Sequence, residues 1–195
     1  MHYIVPLGNP GDKYQDTRHN VGWQAIDFCI GAWRLPSLVE SGGLSGRLTE
    51  GVVQGGEVTI LYPTTFMNNS GSAVQKLVPK GATGQLIVIH DDVDLPLGEI
   101  KVTQGKGAGG NNGVSSIIEK LGSKDFVRVR IGIAPKSFWT GKTKRPTGGG
   151  PLERFVLKAF TSSEQKQLVE VFPQVQRAIE TIVADGVTKA MNQCN

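Results

Sequence analysis

The sequence predicts an α/β fold organised as a single globular domain over residues 1–195. Three observations carry this. Short apolar runs alternate with amphipathic segments along the chain, the run Leu86–His90 is short, continuous and β-branched, and the 195 residues show no internal repeat and no domain linker. A chain of this length can bury a real hydrophobic core. With 38% apolar residues, its 26 glycines and 10 prolines point to many tight turns and loops.

In order, residues 2–8 read as a strand ending at Gly8. A helix over about 21–34 puts Val21, Ala25, Ile26, Phe28, Cys29 and Ala32 on its apolar side. Leu44–Val53 and Val58–Tyr62 read as two strands joined through Gly55-Gly56, a hairpin signal. The next helix starts near Asn69 or Ser70, which offer N-caps, and runs to about Val78. Leu86–His90 is a buried strand and Glu99–Thr103 a shorter one. Residues 104–113 form a glycine loop that leads into a helix over about 114–121. Phe126–Ile133 alternates apolar and basic residues, which predicts a strand with one wet face. Residues 135–151 hold Lys136, Lys142, Lys144, Arg145 and Gly148-Gly149-Gly150 and read as a flexible basic loop. Ser162 or Ser163 then caps a terminal helix of about 164–184.

The formal net charge of +4 fits a polyanionic partner without demanding one. The two cysteines, Cys29 and Cys194, lie far apart, so a disulfide framework is not expected and a reducing cytoplasm is the simpler setting. No run approaches the length of a membrane span, and the opening segment His2–Leu7 is strand-like.

Polar residues collect after three strand-like runs. The first leads into Gly8-Asn9-Pro10-Gly11 and on to Thr17-Arg18-His19-Asn20, the second into Pro63-Thr64-Thr65-Phe66-Met67-Asn68, and the third into His90-Asp91-Asp92-Val93-Asp94. Functional groups gather at the carboxyl ends of strands in open α/β sheets, so parallel neighbours here would aim Asn9, His19, Asn68 and Asp91 into one cleft. A histidine held by a carboxylate can take a proton from water, and asparagine amides can orient that water or donate to an oxyanion. No Gly-x-Ser-x-Gly nucleophile motif occurs, which favours water as the attacking group.

These segments, with Gly109-Gly110-Asn111-Asn112-Gly113, Arg130-Ile131-Gly132-Ile133 and Asp185-Gly186-Val187-Thr188-Lys189-Ala190, match in order and spacing the bacterial peptidyl-tRNA hydrolases, a family this chain resembles from about residue 3 to 191. The resemblance implies a twisted mixed sheet between helices. It implies His19 as catalytic base, Asp91 as its orienting partner, and Asn9 and Asn112 as oxyanion or positioning groups. Tyr14, Phe66, Met67, Asn68 and Asn112 would bind the peptide and the terminal adenosine. It further implies a partner, the acceptor stem and 3′ end of peptidyl-tRNA, whose 5′-phosphate is clamped by a lysine and an arginine. Arg130 keeps the arginine, whereas Thr103 stands at the lysine position, leaving Lys101 and Lys106 as substitutes. Asn111 replaces a histidine common before the second asparagine. A cytoplasmic monomer with no cofactor, no metal, no membrane and no obligate protein partner is expected.

Rival readings are weaker. Gly105-Lys106-Gly107-Ala108-Gly109-Gly110 satisfies Gly-x-Gly-x-x-Gly, but the following strand ends without an acidic residue for a ribose. Gly141-Lys142-Thr143 resembles the end of a P-loop but lacks the earlier glycine, since residue 136 is Lys136. Asp91, Asp92 and Asp94 beside His90 suggest a Mg²⁺ or Mn²⁺ hydrolase. Asp92 and Asp94 read better as shapers of a turn, His90 as a packed histidine and His2 as a surface one. Trp23 and Trp33 read as helix core, and Trp139 as a loop residue able to stack on a base. A non-enzymatic RNA-binding module is the third possibility; cleavage of peptidyl-tRNA under chelation separates the three.

Overall fold

The computed structural model describes residues 1–135 and 149–195. Most of the expected basic loop, with Lys136, Trp139, Lys142, Lys144, Arg145 and Gly148, lies outside the described residues. Along the chain run β1 (His2–Pro6), α1 (Val21–Trp33), β2 (Val39–Ser41), β3 (Gly46–Val53), β4 (Gly56–Pro63), α2 (Ser70–Leu77), β5 (Leu86–Pro96), β6 (Ile100–Gln104), α3 (Asn112–Leu121), β7 (Val127–Ala134), α4 (Gly150–Val156), α5 (Ser162–Asp185) and α6 (Val187–Cys194). The strands form one mixed sheet in the order β2-β3-β4-β1-β5-β7-β6.

The centre of the sheet is parallel. β1 pairs with β4 on one side (Ile4 opposite Ile60) and with β5 on the other (Ile4 opposite Ile87), and β5 pairs in parallel with β7. Strands covered on both faces need apolar residues at every position, which is why these segments read as continuous β-branched runs and not as alternating ones. Ile4, Ile60, Ile87, Ile89 and Val129 face a core shared with α1 and α5, while Val5, Leu7, Val88 and Leu61 face a second core shared with α2 and α3. The chain leaves β1 toward β4 through α1, then returns through α2 to β5 on β1's other side. The carboxyl end of β1 is therefore a switch point where the two crossovers diverge and open a crevice.

Local chemistry explains most boundaries, with several corrections. The β3–β4 turn is centred on Gln54-Gly55, one residue before the expected Gly55-Gly56. Both central residues have positive φ (48° and 78°), as a hairpin turn matched to strand twist requires. No side chain caps α2; Ser70 Oγ instead donates to Met67 O at 2.9 Å inside a short 3-10 turn, Met67–Asn69, that feeds the helix. Gly71 lets α2 lie against α3, because a Cβ there would sit 2.1 Å from Ser116 O. The cap of α5 is Thr161 and not Ser162 or Ser163: it forms a capping box with Glu164. In α1, Phe28 and Ala32 fall outside the buried face, and Trp23 and Trp33 sit at the core's edge, with their indole N–H groups donating to Pro6 O and Glu180 Oε1. His2 is half-buried and not a surface residue. β7 has no wet face. Arg128 is buried and donates to Gly107 O at 2.8 Å, so that face is roofed by the glycine loop. β2, α4 and α6 were not anticipated. Both cysteines are free, and burial pushes the Cys29 thiol up to about 12. Among the described residues no helix is long and apolar enough to cross a membrane.

Candidate active site

The crevice at the carboxyl ends of β1, β4 and β5 is a cleft of about 750 Å³. Asn9, Tyr14, His19, Phe66, Met67, Asn68, Asp91 and Asn112 all line it. Lys101, Lys106 and Arg130 do not. Arg130 is tied to the cleft wall through Asp92, and Lys101 stands directly opposite Arg130 across the β6–β7 ladder, bordering a second cavity of about 640 Å³ between β6, α5 and α6. Lys106 is exposed on the glycine loop, and Thr103 is buried with its hydroxyl unpartnered among the described residues.

His19 lies in a 3-10 turn, Arg18–Asn20, whose three side chains go three ways. His19 Nδ1 sits 2.9 Å from both carboxylate oxygens of Asp91. A carboxylate only accepts, so Nδ1 carries the proton and the Nε2 lone pair is left to the cleft. Burial alone would push the His19 pKa down, but the charge and hydrogen bond of Asp91 outweigh it and hold the pKa above the ordinary imidazole value. Asn20 grips the backbone of Asn9, accepting its N–H at 2.8 Å and donating to its carbonyl at 3.0 Å. Arg18 turns away from the cleft. It donates to Lys158 O and Ala159 O at 2.9 Å and to Glu164 at 2.8 Å, and lies over the rings of Phe155 and Phe160.

Asn9 is 7% exposed, and its Oδ1 accepts the backbone N–H of Met67 at 2.9 Å. A backbone N–H cannot accept, so the amide orientation is fixed with its NH₂ as the group left to donate. Asn111 is fixed in the same way. Its Oδ1 caps α3 by accepting from Gly113 N and Val114 N at 3.0 and 3.1 Å, which turns its Nδ2 to Asp91 Oδ1 at 2.9 Å. The neighbouring Asn112 is the first residue of α3, exposed to the cleft. At the mouth, Phe66 is 58% exposed and meets Tyr14 edge-on, with centroids 6.5 Å apart. The opposite wall is α4, through Leu152, Val156 and Leu157.

The sequence assigns no role to Arg18, Asn20 or Asn111 and does not mark the α4 wall. The only signal for the first two was their place beside His19; nothing local points from Arg18 to a partner 146 residues away. The acidic run is accounted for by protein contacts. Asp91 serves His19 and Asn111, while Asp92 serves Arg130 and the N–H of Asp94; the expected turn at Asp92–Asp94 is instead part of β5, at a register shift against β7. Among the described residues no three His, Cys, Asp or Glu side chains are grouped to hold a metal. His90 is buried, with Nδ1 2.7 Å from Asp91 O, and burial, the main cause, lowers its pKa.

The family model for peptidyl-tRNA hydrolase matches residues 3–195. A peptidyl-tRNA hydrolase of Thermodesulfovibrio yellowstonii is 41% identical over 100% of this chain and 99% of its own length; one from Nostoc sp. is 40% identical over 98% and 93%. The crystal structure of peptidyl-tRNA hydrolase from Acinetobacter baumannii superposes with a TM-score of 0.84 at 29% identity, covering 100% of this chain and 94% of that one. By sequence and by fold alike, this chain belongs to the peptidyl-tRNA hydrolase family.

Proposed function

We propose that the cleft hydrolyses the ester joining a peptide to the 3′ end of tRNA, using water activated by His19 and Asp91 and needing no metal ion. The observation that carries this is the His19–Asp91 contact, two 2.9 Å distances at Nδ1 that leave Nε2 as a base facing the cleft. His19 takes a proton from water as the oxygen attacks the ester carbonyl. The oxyanion accepts from the free amide hydrogens of Asn9 and Asn112, and the imidazolium then returns the proton to the departing ribose oxygen. The products are a peptide acid and a free tRNA available for reuse in translation. An imidazole base supplies what a metal-bound hydroxide would, which supports metal independence.

Asn68, Met67, Phe66 and Tyr14 bind the peptide and the terminal adenosine in this reading, the exposed aromatic pair offering a face for a base. Arg130 takes the 5′-phosphate. Lys101, its direct cross-strand neighbour, is better placed than Lys106 to supply the second cation. The family resemblance further supports a cytoplasmic monomer that acts without an obligate protein partner.

The test is His19→Ala assayed on peptidyl-tRNA with and without a chelator. The variant should lose kcat by roughly 10²–10⁴-fold while still binding tRNA, and the wild type should be indifferent to chelation. A variant keeping a third of the wild-type kcat would remove His19 from the mechanism, and inhibition by the chelator reversed by Mg²⁺ or Zn²⁺ would overturn metal independence.

A further inference from the structure

Arg130 is held by a carboxylate whose own geometry is constrained. Its Nε donates to Asp92 Oδ2 at 2.5 Å, with side-chain exposures of 22% for Arg130 and 11% for Asp92. The contact uses one oxygen only, because Asp92 Oδ1 accepts the N–H of Asp94 at 2.8 Å where β5 shifts register against β7. Asp92 therefore does not close the two-bond fork that arginine favours with acids. Gripped at Nε alone, the guanidinium keeps its Nη1–Nη2 edge without a hydrogen bond among the described residues. That planar edge matches two oxygens of a phosphate.

We propose that Asp92 is a positioning residue for phosphate recognition: by pinning Nε it presents the Nη edge of Arg130 to the 5′-terminal phosphate of the substrate. This rests on the reading of Arg130 given above. The local charge still suits an anion, because Lys101 faces Arg130 across the ladder and leaves the group of three net positive. The strand adds a second consequence. Successive residues of a strand point to opposite faces, so Asp91 and Asp92 in the middle of β5 serve different partners, His19 and Arg130. One rigid strand thus sets the spacing between the base that activates water at the 3′ ester and the arginine that reads the 5′ end.

The experiment measures kcat/KM on peptidyl-tRNA bearing its 5′-phosphate and on the same RNA after enzymatic dephosphorylation. The ratio of the two is the phosphate discrimination, and it is insensitive to any loss of folded enzyme. Asp92→Ala should lower the ratio roughly two- to tenfold, the size expected when a rotamer-rich side chain must be immobilised on binding. Asp92→Asn has one acceptor oxygen where the carboxylate uses two, so it must divide it between Arg130 Nε and the N–H of Asp94, and its ratio should fall between wild type and alanine. An unchanged ratio in Asp92→Ala overturns the proposal. So does a raised one, which would make Asp92 a competitor of phosphate. Asp92→Ser, too short to reach Nε, replaces the alanine variant if that fails to fold. Arg130→Ala separates the two levels. If it abolishes discrimination while Asp92→Ala preserves it, only the role of Asp92 falls; if the wild type does not discriminate and Arg130→Ala changes nothing, the phosphate reading itself falls.

Discussion

Arg18 and Glu164 meet across 146 residues of chain, with Arg18 Nη2 at 2.8 Å from both carboxylate oxygens. The same carboxylate accepts the Thr161 N–H at 2.7 Å and closes the capping box of α5, so one acid fastens the turn that carries His19 to the start of the longest helix. Arg18 is only 4% exposed, and removing one partner leaves the other charge in a poorly solvated place. Arg18→Ala should cost up to about 3–5 kcal/mol in urea unfolding, and Arg18→Lys should recover part of it. Burial works to raise the Glu164 pKa, but hydrogen bonds from Thr161 and Arg18 outweigh it and hold the carboxyl below its usual value. Its contribution is therefore complete above the unfolded carboxyl pKa of about 4.3 and lost as pH falls through the lower folded value. Glu164→Gln should flatten that acid limb of the stability curve; an unaltered limb would remove Glu164 from the account.

The pH dependence of catalysis follows from His19. As a base it must be neutral, and Asp91 holds its pKa above the ordinary imidazole value, so kcat/KM should rise with pH and reach its plateau later than an unperturbed imidazole, of pKa about 6.5, would allow. Asp91→Asn removes the charge that opposes burial. The midpoint should move to lower pH while the plateau falls, because the imidazole is no longer held in the useful tautomer. A midpoint that stays put would show that another group is being titrated.

Asn111 joins the catalytic pair to the N-terminus of α3, and two substitutions separate those duties. Asn111→Ala loses both the cap, at about 1 kcal/mol, and the donor to Asp91, so stability and kcat should both fall. Asn111→Asp keeps a good cap but sets a second carboxylate beside Asp91. The cap should be kept, the loss of the donor to Asp91 and the repulsion between the two carboxylates should still cost stability, and the added negative charge should raise the His19 pKa and shift the kcat/KM profile to higher pH. Equal profiles for wild type and Asn111→Asp would reduce Asn111 to a helix cap.

The fold class, the buried central strands and the residues gathered around the cleft can be read from the amino-acid order alone. These are local matters: hydrophobic period, turn chemistry, and polar residues placed just after apolar runs. Asn9, His19 and Asp91 are legible because each follows an apolar run, although β5 itself continues through Asp91 to Pro96, and parallel pairing of β1, β4 and β5 brings these positions to one cleft. Which amide faces which group is set by the folded packing, because an asparagine can donate or accept until its partners are fixed. It took Met67 N to turn Asn9 toward donation, and Gly113 N and Val114 N to turn Asn111 toward Asp91. The alternation Arg128, Arg130 looked like a wet face, yet it is roofed by the glycine loop and held by Asp92, since solvent exposure depends on what lies above a strand and not on the strand's own period. Likewise nothing near Arg18 in sequence names its partner, which α5 supplies as Glu164 from the far end of the chain. Local periodicity encodes which elements form and which face is apolar, but the partner of a polar side chain is a long-range contact that the fold alone creates.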